Sequence, residues 1–487
     1  MNAKSLTSNR WLVLVIACLA QFMVVLDNTI VNVALPSIQH GLKFAPANLQ
    51  WVVNAYTLIF GGFLMLGGRA ADLLGRRRLF VAGVVLFAGA SMLNGVAQSP
   101  TMLILGRGLQ GLGGALVSPA ALSIIMTTFQ DNSERTRALG VWSAIAAGGA
   151  AFGLLLGGVL TDLVSWRWNF FVNVPVGIAT VFLALRFVPE SRADLGHRRF
   201  DAIGATTVTA GLLAVVFGIV KAQAWGWGSP RTLGVIAVGA ALLAIFVALE
   251  SRSHAPLVRL SIFRIRSLAT ADAVMMLVAS AMFGMFFFAS LYVQDVLGYS
   301  ALKAGLAFLP VSLGIIVGAG ISQAIIKRLG VRNVSVIGLV LATAGLLYLT
   351  RLPVHGHYVT DLLAGLLPMS IGMGLVFVPI TLLGTSGVAN DDAGLASGLF
   401  NSAQQIGGSL GLAILATLAV DHTSSLLSSG ASATHASRVA ATVSGYHVAF
   451  LAAALMVGTA VMLMVALLRR RHVEGLSLDA SAVPAAV

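Results

Sequence analysis

The sequence predicts an all-α membrane protein of fourteen transmembrane helices, arranged as two six-helix bundles with two further helices inserted between them in the chain. Three observations predict it. Hydrophobic residues make up 58% of the chain and charged ones only 10%, with a mean hydropathy of +0.93, which leaves too little polar surface to clothe a soluble globule. Fourteen apolar runs follow one another, most of them close to the ~20 residues that cross a ~30 Å hydrocarbon core. An internal repeat relates early runs to late ones: "LGRRRLFVAGVVLFAGA" after the second is echoed by "LGVRNVSVIGLVLATAG" after the tenth, so that Leu74-Gly75-x-Arg77 matches Leu329-Gly330-x-Arg332. An offset of eight spans sets the bundles at spans 1–6 and 9–14.

The runs lie at about 11–35, 49–68, 79–97, 101–127, 137–160, 168–188, 202–220, 232–249, 267–292, 301–326, 333–350, 358–385, 394–420 and 444–468. The domains follow: 1–190 for the first bundle, 191–266 for the two inserted spans with their charged flanking loops, 267–470 for the second bundle and 471–487 for a tail. The boundary stretches "PESRADLGHRRFD" and "ESRSHAPLVRLSIFRIRS" are charged and contain Pro or Gly. Low complexity is confined to the tail "SLDASAVPAAV" and to the loop "HTSSLLSSGASATHAS". With a cytoplasmic N-terminus, 22 of the 30 Lys and Arg fall in cytoplasmic loops and tails, seven fall outside, and Arg107 lies within a span. That asymmetry, densest in "GRRR", "HRR" and "RIRS", points to both termini being cytoplasmic. The net charge of +13 is therefore a topology signal and does not argue for nucleic acid.

Cys18 stands alone, so no intramolecular disulfide is possible. Lys4, Arg10 and "WLVLVIAC" resemble a signal peptide, and "VIAC" a lipoprotein cleavage box at Cys18. The apolar run continues well past either cleavage point, so it is read as a span. Arginine outnumbers lysine 25 to 5, a compositional hint of a GC-rich bacterial genome and hence of a multi-pass protein of the bacterial inner (plasma) membrane.

Span 1 carries Asp27 inside "VVLDNTIVNVALP", nine residues before Pro36 and so roughly 13 Å from that helix end at ~1.5 Å per residue. An ionisable residue at membrane depth faces a cavity or a partner and is a functional site by default. Span 4 carries Arg107 seven residues after Pro100, roughly 10 Å in from the same side. Burial disfavours a carboxylate and a nearby guanidinium favours it, so a changing separation between the two would load and release a proton. A static ion pair, or an Asp capping a bend, is the structural alternative. Gln21, Asn28 and Asn32 form one stripe of span 1 while Asp27 points about 100° away. Either the stripe packs on another helix with Asp27 facing the cavity, or the helix bends near Asn28.

In the loop after span 2, Asp72 stands with Arg76, Arg77 and Arg78 around a tight turn that Gly75 permits; positive-inside charge explains the arginines as a group. Span 5 reads "GGAAFGLLLGG", where Gly149, Gly153 and Gly157, with Gly158 beside them, make a smooth ridge for close helix approach between bundles. Span 9, "MMLVASAMFGMFFFASLY", offers Met282 and Phe286 to a pocket of adaptable shape, or to ordinary packing. Asp272 sits six residues past Arg266, roughly 9 Å in, either as a second protonation site or as an interfacial residue. In span 13, Ser397, Asn401, Gln404 and Gln405 share one side, as cavity wall or as hydrogen-bonding glue.

"GRAADLLGRRRL", Gly68 to Leu79, resembles the loop 2–3 signature of the major facilitator superfamily. "LDNTIVNVALP", "RGLQGLGGA" and "SWRWNFFVNVPVG" each resemble motifs of its fourteen-span drug:proton antiporters, and the resemblance runs from Asp27 through "GLASGLFNSAQQIGGSLG". It implies the major facilitator fold and a proton-coupled exporter of small, mostly hydrophobic or cationic compounds, with multidrug resistance as the readout. It also implies that Asp27 and Arg107 couple the proton, and that Gly68, Asp72, Gly75, Arg76 and Arg77 form a latch between helices 2 and 11 that steadies the outward-open state. Gly149, Gly153, Gly157 and Gly158 fall in its antiporter signature. Leu154 stands where that signature has proline, which removes the expected kink.

The expected partners are a small-molecule substrate, protons and the lipid bilayer, with the monomer as the working unit. No cofactor or metal is expected: no Walker A signature is present, the nine histidines lie mainly in loops or tails, and no metal-ligand spacing appears. A membrane-embedded enzyme would need clustered catalytic groups. The alternatives are a dedicated exporter of one metabolite, antibiotic or lipid, and a non-transporting receptor, which proton release on substrate addition would separate from a transporter.

Overall fold

The computed structural model describes residues 3–192, 201–253, 256, 258–385, 393–429 and 434–468. The "HRR" run, residues 254, 255 and 257 of the second charged connector, residues 430–433 of the Ser/Ala-rich loop and the 471–487 tail lie outside the described residues. Among the described residues every regular element is helical. Lipid offers backbone N–H and C=O groups no partners, and a helix satisfies them within one segment.

The helices are α1 (Ala3–Leu42), α2 (Trp51–Leu74), α3 (Arg76–Gly95), α4 (Pro100–Thr128), α5 (Asn132–Leu163), α6 (Asn173–Phe187), α7 (Ala202–Trp225), α8 (Pro230–Arg252), α9 (Arg266–Leu291), α10 (Ala301–Ala307), α11 (Leu309–Leu349), α12 (Ala364–Thr385), α13 (Ala393–Ser429) and α14 (His435–Leu467). Side chains of Ser99, Asp131, Asp201, Ser229, Ser300 and Thr434 accept hydrogen bonds from backbone N–H groups at the starts of α4, α5, α7, α8, α10 and α14. At α5 the Ser133 hydroxyl, with the N–H groups of Glu134 and Ser133, holds the Asp131 carboxyl below its usual range.

Twelve of the described stretches are long and apolar enough to cross a membrane. The expectation of fourteen differs from this at two places. In α5, Gly148–Leu163 is the apolar stretch among the described residues, shorter than the other twelve. Ala301–Leu349 counts once, although two helices meet there across a kink at Gly330, whose backbone leaves helical geometry at φ 78°, ψ 156°. Gly75, its counterpart in the repeat, breaks α2 from α3 at φ 111°, ψ 127°. Both bends use backbone that L side chains rarely adopt.

One buried apolar cluster unites α1–α6 around Tyr56, Phe80, Phe87 and Trp142. A larger one is centred on α9, α11, α12, α13 and α14 and takes in the far half of α1. The inserted pair does not lie between the bundles' faces. Gly211 of α7 packs on Gly239 and Leu243 of α8, Thr209 of α7 meets Gly62 of α2, and Gln223 Nε2 donates to Ser424 Oγ of α13 at 3.4 Å, so α7 covers the seam between α2 and α13. α8 turns Leu233, Val238, Ile245 and Val247 outward, as a lipid-facing helix does.

The hydrogen bonds that join α1 and α5 to the second bundle, among the described residues, all lie toward the Pro36 end of the molecule. Ser290 Oγ donates to Asn32 O at 2.8 Å and Gln294 Nε2 to Val33 O at 2.9 Å. Asp162, at the end of α5, accepts from Ala301 N at 2.9 Å and Leu302 N at 2.8 Å at the start of α10. Midway, Ser402 Oγ donates to Gly61 O at 2.9 Å, and Thr57 Oγ1 bonds Ser409 Oγ.

The glycine ridge of α5 packs differently from expectation. Gly149 faces Phe22 and Val25, Gly153 faces Leu26 and Thr29, and a Cβ at Gly157 would stand 2.7 Å from Ile30 O, so these three seat α5 on α1 within one bundle. Only Gly158 reaches across, where a Cβ would lie 2.7 Å from Ala301 O, and Leu154 O lies under Gly305 in return. α5 is continuous through Leu154.

Candidate functional site: a buried carboxylate and its partners

Asp27 is fully enclosed in the first bundle, with Arg107 1% exposed beside it. Arg107 Nη1 donates to Asp27 Oδ2 and, at 2.8 Å, to Gln110 Oε1, while its Nε donates to Val52 O at 2.9 Å. The guanidinium also lies 4.3 Å from the Tyr56 ring centroid. The other carboxylate oxygen, Oδ1, accepts from Gln110 Nε2 at 2.7 Å and from Asn173 Nδ2 at 3.1 Å. Ser91 ties the donors together, accepting from Gln110 at 3.2 Å and Asn173 at 3.0 Å and donating to Phe170 O at 2.8 Å. Asn94 Nδ2 completes the network on Gln110 Oε1 at 2.8 Å. Four helices, α1, α3, α4 and α6, thus meet around the carboxylate, and α2 adds Val52 O and the Tyr56 ring on the guanidinium.

A buried charge pair is stable only when additional hydrogen bonds serve the remaining lone pairs, and here three donors serve the carboxylate. Proton transfer to Asp27 therefore requires the network to open. The helix 1 alternatives resolve in an unexpected way. α1 runs unbroken through Asn28, and Gln21 is buried, accepting from Ser118 Oγ at 2.9 Å. Asn28 and Asn32 are half-buried, with Asn32 Nδ2 donating to Asn28 O at 3.1 Å within α1, and Asp27 is enclosed. Sequence reading missed Gln110, Asn173, Ser91 and Tyr56. Gln110 and Asn173 lie inside the stretches "RGLQGLGGA" and "NFFVNVPVG", and Gln110 follows Arg107 by three residues, one helical turn.

At the opposite end, Asp72 accepts from Arg76 Nη2 at 2.8 Å and Nε at 3.1 Å, and from Ser123 Oγ at 3.4 Å, all within the first bundle. Glu190 was not anticipated: it accepts from the N–H groups of Arg77 at 3.1 Å and Arg78 at 3.2 Å, closing the start of α3 beside Gly75. Gly68 borders Pro119 of α4.

Of the other sequence-predicted residues, Met282 and Phe286 lie one turn apart on α9, half-buried and packed against the second apolar cluster. Asn401 and Gln404 are half-buried on α13, and Asn401 Nδ2 donates to Ser397 O at 3.1 Å. Gln405 stands elsewhere, its Cβ against Gly61 at the α2–α13 contact, so it belongs to the seam between helices. Asp272 is 6% exposed, and neither carboxylate oxygen has a hydrogen-bond partner.

The profile of the family described as Major Facilitator Superfamily matches residues 17–412. The chain belongs to that superfamily. Among its relatives, the puromycin resistance protein pur8 of Streptomyces alboniger is 39% identical over 480 residues, covering 98% of this chain and 95% of that protein. The cephamycin export protein CmcT of Amycolatopsis lactamdurans is 40% identical, over 86% of this chain and 87% of its own length. A bacterial homologue of the human lysosomal transporter Spinster, solved in an inward-facing, unoccupied conformation, shares the fold with a TM-score of 0.65 at 16% identity, covering 96% of this chain and 98% of that one. As a member of the superfamily the chain is a transporter, and its helices and bacterial relatives make it a multi-pass bacterial membrane protein.

Proposed function

We propose that this major facilitator protein exports small hydrophobic or cationic antibiotics in exchange for protons, with Asp27 carrying a proton and Arg107 holding its ionised form. The sealed Asp27–Arg107 pair, with three donors on the carboxylate, is the observation that carries the reading. A fixed charge pair at membrane depth is costly, and a titrating group there is what a proton needs to cross. Relatives named for puromycin resistance and cephamycin export support efflux as the direction. Because those names each give one antibiotic, a dedicated exporter of a single compound is the second reading; the relative called multidrug resistance protein Stp favours the broader one.

On this reading there are fourteen spans: the twelve apolar stretches, α5 as a further span, and Ala301–Leu349 divided at Gly330. They form a first bundle over 1–190, an inserted pair over 191–266 and a second bundle over 267–470, in the inner membrane with both termini cytoplasmic, working as a monomer without a cofactor. The Pro36 end is then the outer end, and its cross-bundle bonds describe a carrier closed to the outside. Asp72 with Gly68, Gly75, Arg76 and Arg77 is the latch awaiting its partner in the second bundle, and Met282, Phe286, Asn401 and Gln404 line the substrate path.

The test uses everted vesicles with puromycin as the probe. Asp27→Asn mimics a permanently protonated carboxyl, so it abolishes uphill accumulation while downhill puromycin exchange continues. Accumulation at the wild-type rate would send the proton by another route.

A further inference from the structure

A second membrane-embedded carboxyl, Asp272, has no place in the Asp27 network. It lies on α9, where that helix runs beside α13 in a fixed step: a Cβ at Gly407 would stand 2.5 Å from Met276 Cα, Ser280 Oγ donates to Gly407 O at 2.7 Å, and Gly411 meets Ser280 one turn on. One turn back from Met276 comes Asp272, and one turn further Leu268, buried in a cluster with Leu399 and Ala396 of α13 and Leu66 of α2. The carboxyl is therefore roofed by the α9–α13 contact and floored by an apolar layer to which the first bundle contributes Leu66.

Neither oxygen of Asp272 meets a donor, and the side chain is more than nine-tenths buried. α12 carries no titratable residue, α13 none before Asp421, and α9 itself only Arg266 at its start. From α2 the nearest in sequence to Leu66 is Arg69, whose Nη1 donates to Pro256 O at 2.8 Å, and beyond it Asp72, which is paired to Arg76. An unpaired carboxylate sealed in apolar surroundings costs several kcal/mol, whereas its neutral acid leaves only an ordinary unmet hydrogen bond. Asp27 has three donors on its carboxyl, and Asp272 has surroundings that only the neutral acid tolerates.

We infer that Asp272 is a second proton site of the transporter, which takes its proton while the Pro36 end is open, keeps it while that end is closed, and releases it on the opposite side when α2 withdraws Leu66 from the layer beneath it. This rests on the export reading for its role in the cycle, but the site itself does not. The consequence is one more proton per turnover than Asp27 alone delivers.

Two measurements test it on the full-length protein. In lipid nanodiscs without substrate, the infrared C=O stretch of a protonated carboxyl is present near neutral pH in wild type and in Asp27→Asn, absent in Asp272→Asn, and restored in Asp272→Glu. The same band in Asp272→Asn would overturn the site. In proteoliposomes with puromycin under an imposed potential, Asp272→Asn still transports but sustains a gradient roughly fiftyfold smaller at 100 mV, the equivalent of one charge fewer. An undiminished gradient would make Asp272 a permanently neutral core residue and overturn the inference. A protein that moves no puromycin would refute the export reading while the infrared arm still decides the site.

Discussion

At the residue scale, the Asp27–Arg107 pair shows how unequal the two ways of removing a buried charge are. Deleting one partner leaves the other ionised in the bundle and typically costs about 3–5 kcal/mol, whereas deleting both is far less damaging. Arg107→Ala should therefore lower the thermal stability of the purified protein sharply, and adding Asp27→Asn should recover much of the loss. Melting of the two variants in detergent checks this; equal melting temperatures would mean the pair is not energetically coupled. That both residues lie well inside their helices was legible from residue count, although Pro36 proves to lie within α1, which runs on to Leu42. Their partners were not. Asn173 lies 146 residues from Asp27, and which amide reaches a carboxylate is decided by how four helices cross, a tertiary fact that no local pattern records.

At the element scale, α5 separates glycines that sit under a neighbour from glycines that do not. A Cβ at Gly157 would press on the Ile30 backbone and side chain at 2.7 and 2.9 Å, whereas Gly148 has nothing within 4 Å. Gly157→Ala should thus destabilise the protein by about 1–3 kcal/mol, the usual effect of overpacking, and Gly148→Ala should leave it unchanged. Ranking the two variants by thermal melting is sufficient, and equal behaviour would contradict the seating of α5 on α1. The ridge was visible in the sequence as a spacing, but the spacing names a face and not the helix that lies against it. Helix ends were the other gap. α1 reaches Leu42 although the apolar run stops near residue 35, since the backbone stays helical beyond the hydrocarbon.

At the scale of the whole molecule, Asp162 is the clearest tie between halves, a carboxylate accepting from two successive N–H groups at the start of α10. Such bonds to a charged group contribute about 1.5–3 kcal/mol when shielded and less at an exposed site such as this one, so Asp162→Ala should shift the balance toward the form open at that end by roughly tenfold. In a Cys18→Ser background, a membrane-impermeant maleimide applied from outside should label Ser425→Cys and not Arg77→Cys. Adding Asp162→Ala to an Asn28→Cys chain should raise its labelling from the same side. Labelling of Arg77→Cys alone would reverse the orientation. Composition made the membrane class readable in advance, and the motifs in "GRAADLLGRRRL", "LDNTIVNVALP", "RGLQGLGGA" and "SWRWNFFVNVPVG" made the family so. The span count was harder, because a single glycine in α11 separates what hydropathy reads as two runs and helix geometry almost reads as one.

That glycine and its twin carry a history. Gly75 and Gly330 occupy matching places in the internal repeat, and both bend the chain through positive-φ backbone that other residues would strain. Three residues before each bend, however, the copies disagree: Asp72 in the first, Lys327 in the second. After a duplication, a position fixed by sterics tolerates almost no replacement, whereas a side chain at a solvated helix end drifts freely until a partner claims it. Asp72 is bonded by Arg76 and Ser123, and the matching position carries Lys327. Shape is what the two halves inherited in common, and charge is where each took up separate work.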